Sequence, residues 1–424
     1  MIKKCLKYTL DAFLAMVFLP FLLSVFLFMP FYLLFSKKRT VHEKRLLWGC
    51  MPLKSLTYTS NALQEKGFES KTVVIDFYPI VKRSDFDVIL RYDASSLFLM
   101  NYIITQVMCY LFFIKSLFSF DIFHYFFDGG LLQRTPYTSI EFLILKACGK
   151  DLILMPYGSD SFVYDHLYDL NWRHALLSSY SGLSKNAHAI ERMLRLGAQY
   201  ADIICGCLVH VVNLPRWDVL PLTWYPFPTH TVIPVFPKTA GPVFVAHAPN
   251  HRGVKGTEFL MDAVARLHTE GYDIHLTLIE KKTNDEALDI MKKADIIVDQ
   301  LIFGYALNAM ESMALGKITI TGVDKDHPSY TLFSRYSYLK ECPALFASPE
   351  SIYNVLKDLL HTRHTWPELG QKMRAFAEKR HSFESSSSLF QFMYKTLEDP
   401  SLKEHLLQYY HPLFEKSHEN SSSS

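Results

Sequence analysis

Hydrophobic and polar positions follow two alternating patterns along most of the chain. Short apolar runs typical of buried strands begin at Leu46, Thr72, Asp87, Asp121, Leu152, Val243, Ala294 and Ile318. Between them, apolar residues recur at helical spacing, as in 56–66, 137–148, 257–267, 351–360, 369–380 and 387–397. Strands that alternate with helices favour parallel sheets covered by helices, so the pattern predicts an α/β fold.

The chain of 424 residues is longer than one hydrophobic core usually supports. We expect a membrane anchor at 1–40, a first α/β domain at 41–225 and a second α/β domain at 226–396. A C-terminal helix with a disordered tail is expected at 397–424. The proline-rich run between Leu220 and Pro242 is typical of a stiff connection between domains.

The N-terminus carries a long uncharged segment, Ala12 to Ser36, with lysines on both sides. Twenty-five such residues can cross a bilayer, and no small-residue cleavage site follows them. The basic excess is slightly larger after the segment, which favours a globular part on the cytoplasmic face. Because Pro20 and Pro30 interrupt the helix, the alternative is a re-entrant or interfacial segment. We therefore expect a single-pass or monotopic membrane protein.

A second uncharged stretch, Ala94 to Ile114, lies between two predicted strands. If this stretch crossed the membrane, strands of one sheet would lie on opposite sides. We therefore predict a core helix whose outer face touches lipid beside the anchor.

The segment Val243 to Gly322 carries the candidate chemistry. Its first strand, Val243–His247, leads into a loop with Arg252 and Lys255, and a helix begins after Gly256. Unpaired backbone N–H groups and the macrodipole at a helix N-terminus favour an anion, and two cationic side chains add to that preference. The sequence predicts a diphosphate site in this loop.

The second half of this segment adds polar groups suited to a nucleoside. A buried strand ends at Asp299 and Gln300, and Gly304 precedes a helix that carries Glu311 about two turns further on. Glycine allows close backbone approach, and a carboxylate can accept hydrogen bonds from both ribose hydroxyls. Together with the basic loop, these residues indicate a nucleotide-sugar site.

These motifs resemble the retaining glycosyltransferases of family 4, which have the GT-B fold. The resemblance rests on the loop with Arg252 and Lys255-Gly256-Thr257, on Ala294–Gln300, and on the run from Gly304 through Glu311 to Lys317. It implies two Rossmann-like parallel-sheet domains facing a central cleft, with an acceptor-side domain at 41–225 and a nucleotide-sugar-binding domain at 226–396. It also implies that Arg252 and Lys255 hold the donor diphosphate and that Glu311 holds the ribose.

The chain departs from the family at Phe303, where a second glutamate usually contacts the transferred sugar. Either Asp299 or Gln300 takes over that task, or sugar recognition differs. The predicted donor-binding residues are His247, Arg252, Lys255, Gly256, Asp299, Gln300, Gly304, Tyr305, Asn308 and Glu311. Alternatively, the cations are an ordinary solvated pair, Glu311 is a surface acid, Asp299 and Gln300 cap their strand, and His247 is a hydrogen-bonded core residue.

The predicted acceptor side is the glycine turn after the strand at Leu152, with Tyr157, Gly158 and Asp160. Tyr157 stands where family members commonly have a histidine, and His124 resembles the first histidine of another family segment. Arg252, Lys255, Asp160 and His124 are therefore the predicted catalytic residues. Asp160 as a turn cap and His124 as a core residue are the structural alternatives.

Net charge and cysteine spacing bear on which partners and ligands the protein binds. The formal net charge of +2 gives no reason to expect nucleic acid, and the seven cysteines show no metal spacing. We expect a UDP- or GDP-linked sugar as substrate, with no metal and no cofactor besides it.

The sequence thus predicts transfer of a sugar, with retention, from a nucleotide-diphosphate donor to a lipid-linked or envelope saccharide at the membrane. Phe303 and Tyr157 leave open a catalytically inactive GT-B scaffold. A nucleotide-sugar epimerase is the other alternative, although a soluble substrate needs no membrane anchor.

Overall fold

A computed structural model describes residues 2–35, 39–78, 81–180, 182–206, 210–216, 218–221, 226–322, 327–336 and 338–402. The predicted disordered tail lies outside these residues from position 403 onward. The chain forms two compact units. Unit 1 comprises Met1–Phe162, His188–Cys205 and Asn213–Leu220, and unit 2 comprises Val163–Ala187, Gly206–Val212 and Pro221–Ser424.

The sheet of unit 1 has seven strands in the order β3-β2-β1-β4-β5-β6-β7. The strands are β1 Leu46–Cys50, β2 Ser70–Val74, β3 Val88–Ile89, β4 Ile122–Tyr125, β5 Asp151–Leu154, β6 Ile203–Gly206 and β7 Leu220–Pro221. The paired strands from β3 to β6 are parallel. Because β1 lies between β2 and β4, the chain order reverses between β1 and β4, the place where such sheets bind ligands.

Unit 2 has a second parallel sheet of five strands, in the order β12-β11-β10-β8-β9. The strands are β8 Val243–His247, β9 Ile274–Leu278, β10 Ile296–Val298, β11 Ile318–Thr321 and β12 Leu345–Phe346. Fully buried apolar residues on both faces of this sheet form the core of the unit. The order again reverses between β8 and β10, the two strands that precede the candidate donor-binding residues.

Fourteen α-helices occur in the described parts of the chain. They are α1 Ile2–Phe35, α2 Lys54–Gln64, α3 Phe98–Ser119, α4 Glu141–Ala147, α5 Leu170–Ser179, α6 Leu183–Tyr200, α7 Arg252–Lys255, α8 Thr257–Thr269, α9 Asn284–Met291, α10 Leu307–Ala314, α11 Pro328–Tyr336, α12 Ile352–His361, α13 Trp366–His381 and α14 Phe383–Glu398.

The predicted α/β class is confirmed: both sheets are parallel and are interleaved with helices. The strands at Val243–His247 and Ile318–Thr321 have the predicted bounds. Other bounds differ. The helix expected over 137–148 begins only at Glu141, after a 3-10 turn at Thr138–Ile140, and the helix expected from Leu56 begins at Lys54.

Among the residues that the structure describes, two helices of unit 1 are long and apolar enough to cross a membrane: α1 over Leu6–Phe35 and α3. The predicted second apolar helix is present as α3, which connects β3 to β4. Its buried face includes Cys109, Tyr110, Phe113 and Leu117. As expected from the flanking strands, α3 is a connection within one sheet.

Candidate functional site

The backbone after β8 turns tightly at Gly256, between α7 and α8. Gly256 has a φ of +70°, in the left-handed region that favours glycine. A Cβ atom at this position would lie 2.9 Å from the Cβ atom of Leu301, which follows β10. The amide of Leu301 also donates to the carbonyl of Lys255 at 3.1 Å. Gly256 therefore lets Lys255 pack directly against the end of β10.

We expect Gly256→Ala to lower the free energy of unfolding by about 2–4 kcal/mol, because it adds both left-handed strain and a clash with Leu301. Gly271 is the matched control: its φ is +91°, but a Cβ atom there would have no neighbouring atom within 4 Å. Gly271→Ala should cost only about 1–2 kcal/mol. Urea unfolding of both variants measures the difference, and equal losses would contradict the close approach described above.

Lys255 forms a buried ion pair at the end of β10. Its Nζ atom donates to Asp299 Oδ1 at 3.0 Å, and the two side chains are 11% and 0% exposed. The other oxygen of Asp299 accepts from the amide of Ala306 at 3.0 Å and from the Thr321 hydroxyl at 3.4 Å. One carboxylate thus fixes the lysine next to the N-terminal end of α10.

Arg252 lies apart from this ion pair. Its guanidinium bonds Glu258 at 2.7 Å and Glu280 at 3.2 Å, and its side chain is 39% exposed. Hydrogen bonding to Glu258 and the charges of both acids raise the pKa of Arg252. Arg252 must therefore leave one or both carboxylates, or share them, in order to bind a phosphate.

The basic segment was expected as a loop, but Arg252–Lys255 forms the short helix α7. The end of α5 supports it: the amide of Val254 donates to the Ser179 hydroxyl at 2.9 Å, and the His251 ring lies 4.3 Å from the ring of Tyr180. These contacts hold the segment in its helical conformation, and the backbone N–H group of Val254 is already hydrogen-bonded.

His247 is fully buried at the end of β8. Its Nδ1 atom lies 2.7 Å from the carbonyl oxygen of Val298, and its Nε2 atom lies 2.9 Å from the Thr257 hydroxyl. Burial lowers the pKa of His247 to about 4, so the ring is neutral near pH 7. The ring thus links β8 to β10 and to the first residue of α8. His247 therefore has the place of a hydrogen-bonded core residue, which is the alternative to donor binding given above.

The next polar group lies on α10. Glu311 is 4% exposed, and its Oε1 atom accepts a hydrogen bond of 2.8 Å from Asn284 Nδ2 at the start of α9. Asn308, three residues earlier, lies on the same face of the helix. Its Nδ2 atom is buried and has no hydrogen-bond partner among the described residues. A buried amide without a protein partner can donate a hydrogen bond to a bound molecule.

Three further residues were predicted to bind the donor: Gly304, Tyr305 and Gln300. Gly304 has a φ of +81°, and α10 begins three residues later, at Leu307, so Gly304 does not open the helix as expected. Tyr305 is buried, and its hydroxyl makes a short hydrogen bond with His381 Nε2. Gln300 is also buried. Tyr305 therefore faces the interior of unit 2 rather than a ligand.

Phe303, at the position of the missing family glutamate, is 6% exposed. Its ring centroid lies 5.8 Å from that of Trp172 on α5, and the Trp172 indole donates to the carbonyl of Ile302 at 3.0 Å. An apolar residue fits here because it packs against an indole. A carboxylate at this position would be buried without a charged partner among these neighbours.

The predicted acceptor-side residues come together in unit 1, after β5. Asp160 is 4% exposed and accepts backbone hydrogen bonds from Phe127, Tyr157 and Gly158 at 3.1, 3.0 and 2.9 Å. These bonds are those of a side chain that caps a turn, which is the structural alternative given for Asp160 above. Burial raises the pKa of Asp160, and the neighbouring Asp128 raises it further.

Asp128 is a site candidate that sequence reasoning did not single out. It lies three residues beyond β4, where the strand order reverses, and accepts a hydrogen bond of 3.2 Å from the Tyr157 hydroxyl. Its Oδ1 atom is buried and is not hydrogen-bonded to any residue that the structure describes. Burial raises the pKa of Asp128. An acid next to two glycines looks like turn chemistry, so no sequence signal distinguished it.

Glu141, on α4, is a second buried acid that the sequence did not single out. Its Oε2 atom accepts from the amides of Gly130 at 3.1 Å and Leu132 at 3.0 Å. Burial raises the pKa of Glu141 to about 7. These bonds hold the loop that carries Asp128.

His124 lies inside the sheet of unit 1, away from the Tyr157 turn. It is 1% exposed and stacks on Trp48, with 3.6 Å between the ring centroids. Burial lowers the pKa of His124 to about 3, so it remains neutral at physiological pH. This placement matches the structural alternative, in which His124 is a core residue.

The structure thus brings together two sets of predicted residues. In unit 2, Lys255, Gly256 and Asp299 meet at the end of β10, and Asn308 and Glu311 share one face of the adjacent helix. In unit 1, Tyr157, Gly158 and Asp160 meet together with Asp128. The remaining predicted residues lie as follows: His247, Tyr305 and His124 in the interior, Gln300 buried after β10, Gly304 before α10, and Arg252 with two exposed acids.

The described architecture, two units each with a parallel Rossmann-like sheet, is the GT-B fold. Three solved structures share it with the chain: HepE of Anabaena in complex with UDP-glucose, sucrose-phosphate synthase of Thermosynechococcus elongatus, and a glycosyltransferase of Rickettsia africae. Their TM-scores are 0.52, 0.52 and 0.50, at 10%, 13% and 11% identity. Each covers 84% of this chain, which covers 100%, 99% and 99% of theirs.

No protein-family model matches the chain, and no curated protein matches it by sequence. At such low identity the structural likeness shows the fold alone. The predicted GT-B fold is confirmed, and the assignment to family 4 stays a prediction.

Proposed function

We propose that the protein is a glycosyltransferase that takes a sugar from a nucleotide-diphosphate donor. The observation that carries this proposal is the arrangement at the start of α10. A lysine is fixed there by a buried carboxylate, and a second buried carboxylate and an unsatisfied amide lie within two turns along the same helix. These groups suit a diphosphate followed by a ribose.

Lys255 is the proposed diphosphate ligand. An ammonium group has three donors, and Asp299 occupies one of them, so two remain for phosphate oxygens. The N-terminal end of α10 adds partial positive charge beside Lys255, although the amide of Ala309 in its first turn already donates to the carbonyl of Ala306 at 3.0 Å. Together they would stabilise the negative charge that develops on the leaving diphosphate.

Glu311 is the proposed ribose ligand. Its carboxylate already accepts from Asn284, and it retains capacity to accept from ribose hydroxyls. The side-chain amide of Asn308 would donate a hydrogen bond to the oxygen of a ribose hydroxyl. Solved structures of the same fold include HepE in complex with UDP-glucose, which supports a UDP-linked donor, and a GDP-linked donor is the alternative.

Sugar recognition differs from the family pattern in this proposal, because Phe303 packs on Trp172 and offers no carboxylate. We propose that Asp299, which already bonds Lys255 and Ala306, orients the lysine rather than the sugar. Fixed cationic groups then replace a metal ion, and transfer proceeds with retention as the family resemblance implies. The acceptor proton passes to the departing phosphate.

The proposed acceptor is a lipid-linked or envelope saccharide, taken up on the cytoplasmic face of a membrane. The two long apolar helices of unit 1 support membrane association. Tyr157, Asp160 and Asp128, at the strand ends of the same unit, are the proposed acceptor-side groups.

The test is a thermal-shift screen of the full chain in detergent against UDP- and GDP-linked sugars, followed by analysis of the sugar product. A bound donor should raise the unfolding midpoint in proportion to occupancy. Glu311→Gln should weaken donor binding by roughly 10- to 100-fold, because a hydrogen bond to a charged group contributes about 1.5–3 kcal/mol.

Glu368→Gln is the matched control, since Glu368 is an exposed acid on α13 paired with Lys372. It should bind the donor as the unaltered chain does. Absence of any nucleotide-sugar binding, equal binding by the Glu311→Gln variant, or epimerisation of the donor in place of transfer would each contradict the proposed function.

A further inference from the structure

The N-terminal helix α1 packs along most of its length against the rest of unit 1. Its contacts with α3 are spread along the helix: the Tyr102 hydroxyl donates to Asp11 at 2.5 Å, Phe18 stacks on Tyr110 at 4.4 Å, and Tyr32 lies edge-on to Phe118 at 5.2 Å. The residue numbers increase together, so the two helices run side by side in the same direction.

The start and end of α4 hold the other flank of α1. The Tyr137 hydroxyl, just before α4, donates to the carbonyl of Ala15 at 2.7 Å. Leu33 lies so close to Gly149, just beyond α4, that a Cβ atom there would be 3.1 Å from it. Contacts therefore extend from Asp11 to Leu33, about 33 Å along a helix.

The two faces of α1 differ in surroundings but not in polarity. One face is buried against the unit at helical spacing, through Leu14, Ala15, Phe18, Leu22, Val25 and Met29. The opposite face is exposed and apolar, through Phe13, Met16, Leu23, Phe26, Phe28 and Phe31. No residue from Ala12 to Phe35 is charged. Water is a poor environment for such a face.

The same exposed apolar character continues onto the neighbouring helices. Phe98 and Leu111 of α3 are 74% and 55% exposed, and Ile140 and Leu143 beside Tyr137 are 41% and 44% exposed. Three adjacent elements of one unit therefore present apolar side chains, and we call α1, α3 and the start of α4 the apolar platform.

A bilayer-spanning orientation conflicts with these contacts. The hydrocarbon core is about 30 Å thick, close to the length over which α1 is attached to unit 1. If α1 crossed the bilayer, α3 would cross beside it. However, α3 begins after β3 and ends before β4, and these strands belong to one sheet. That sheet would then have to enter the lipid.

We propose that the apolar platform lies flat in one leaflet of a lipid bilayer, with α1 parallel to the membrane plane and α3 contributing to the inserted surface. In the sequence, lysines precede the apolar run (Lys3, Lys4, Lys7) and basic residues follow it (Lys37, Lys38, Arg39), and these charges favour anionic headgroups. They would also repel a second copy of the chain. The inference is independent of the chemistry at α10.

Vesicle flotation of the full chain tests the exposed face. The double variant Phe21→Glu, Phe28→Glu changes two side chains that are 57% and 67% exposed, so packing against the unit is preserved. Binding to phosphatidylcholine vesicles containing phosphatidylglycerol should fall at least ten-fold. A matched control adds the same charge elsewhere in unit 1, through Asn61→Glu and Ser84→Glu on exposed positions. It should bind as the unaltered chain does, and equal binding by both double variants would overturn the proposal.

Depth measurements separate the flat orientation from a spanning one. Nitroxide labels at Phe13, Leu23 and Phe31, in a full chain whose seven native cysteines are replaced, report immersion along α1. Equal shallow depths at all three positions, with Phe98 on α3 also in contact with lipid, support the proposal. A label at the bilayer centre for Leu23 with the two ends near opposite surfaces would overturn it. So would water-exposed labels or a lipid-free dimer joined through the platform.

Discussion

Lys255→Ala should lower the rate of sugar transfer by about 100-fold or more. The reason is electrostatic: loss of a fixed donor from the leaving diphosphate typically costs this much in turnover. The loss should appear at saturating donor, because the charge grows as the bond breaks. Initial-rate measurements on the full chain check it, and Arg252→Ala, predicted from the sequence to have the same effect, belongs in the same experiment.

Removal of Lys255 also leaves Asp299 buried without its cation, which is expected to cost about 3–5 kcal/mol of stability. The double variant Lys255→Met, Asp299→Asn separates the two effects, because removing both charges of a buried pair is often nearly neutral. It should regain thermal stability and remain slow. Unchanged rates in both the Lys255 and the Arg252 variants would remove the phosphate assignment.

Asp299→Ala should destabilise unit 2 at least as strongly as Lys255→Ala. Asp299 is completely buried and accepts from Lys255, Ala306 and Thr321. Without it, a buried ammonium loses its counter-charge and the amide of Ala306, the residue before α10, loses its hydrogen bond, at a cost of about 3–5 kcal/mol. Urea unfolding measures the loss.

A matched control for this change is Asp289→Ala on α9. Asp289 pairs with Lys292 at 2.9 Å, but its side chain is 70% exposed, so the ion pair contributes little. A loss of stability in the Asp299 variant no greater than in the Asp289 variant would contradict the structural role of the buried pair.

Periodicity predicted β1 to β5, β8, β10 and β11, because buried parallel strands are continuous apolar runs, but it did not predict β6, β7, β9 or β12. Val243–His247 and Ile318–Thr321 follow that rule and have the predicted bounds. β9 does not follow it: its sequence from Ile274 to Leu278 alternates apolar and polar residues, since only one face is buried at this edge of the sheet, and it was not predicted.

The candidate site was predicted in part. The residue types near the ends of β8 and β10 were sufficient to single out Lys255, Asp299 and Glu311. Which side chains bond each other depends on contacts between residues distant in sequence, such as the Lys255–Asp299 pair, 44 positions apart. The same limit explains why Arg252 was grouped with Lys255 although its partners are Glu258 and Glu280.

Helix α10 begins three residues later than the sequence predicted, because of contacts with residues distant in sequence. Glycine was expected to open the helix at Gly304, but Tyr305 is drawn into the interior by its hydrogen bond to His381. The helix therefore begins at Leu307, after Asp299 has bonded the amide of Ala306. No local sequence pattern reports a bond to a histidine 76 positions away.

The proposed membrane surface and the proposed donor site belong to different units, so they can be disrupted separately. The apolar platform belongs to unit 1, whereas Lys255, Asp299 and Glu311 belong to unit 2. Variants of the platform should keep nucleotide binding, and variants of Lys255 should keep vesicle binding.

Calorimetric titration of the full chain with a nucleoside diphosphate, compared with the matching monophosphate, tests the central claim most directly. The diphosphate should bind more tightly, and this preference should disappear in the stable Lys255→Met, Asp299→Asn variant. Equal affinity for both nucleotides, or a preference unchanged in that variant, would contradict a diphosphate site at Lys255.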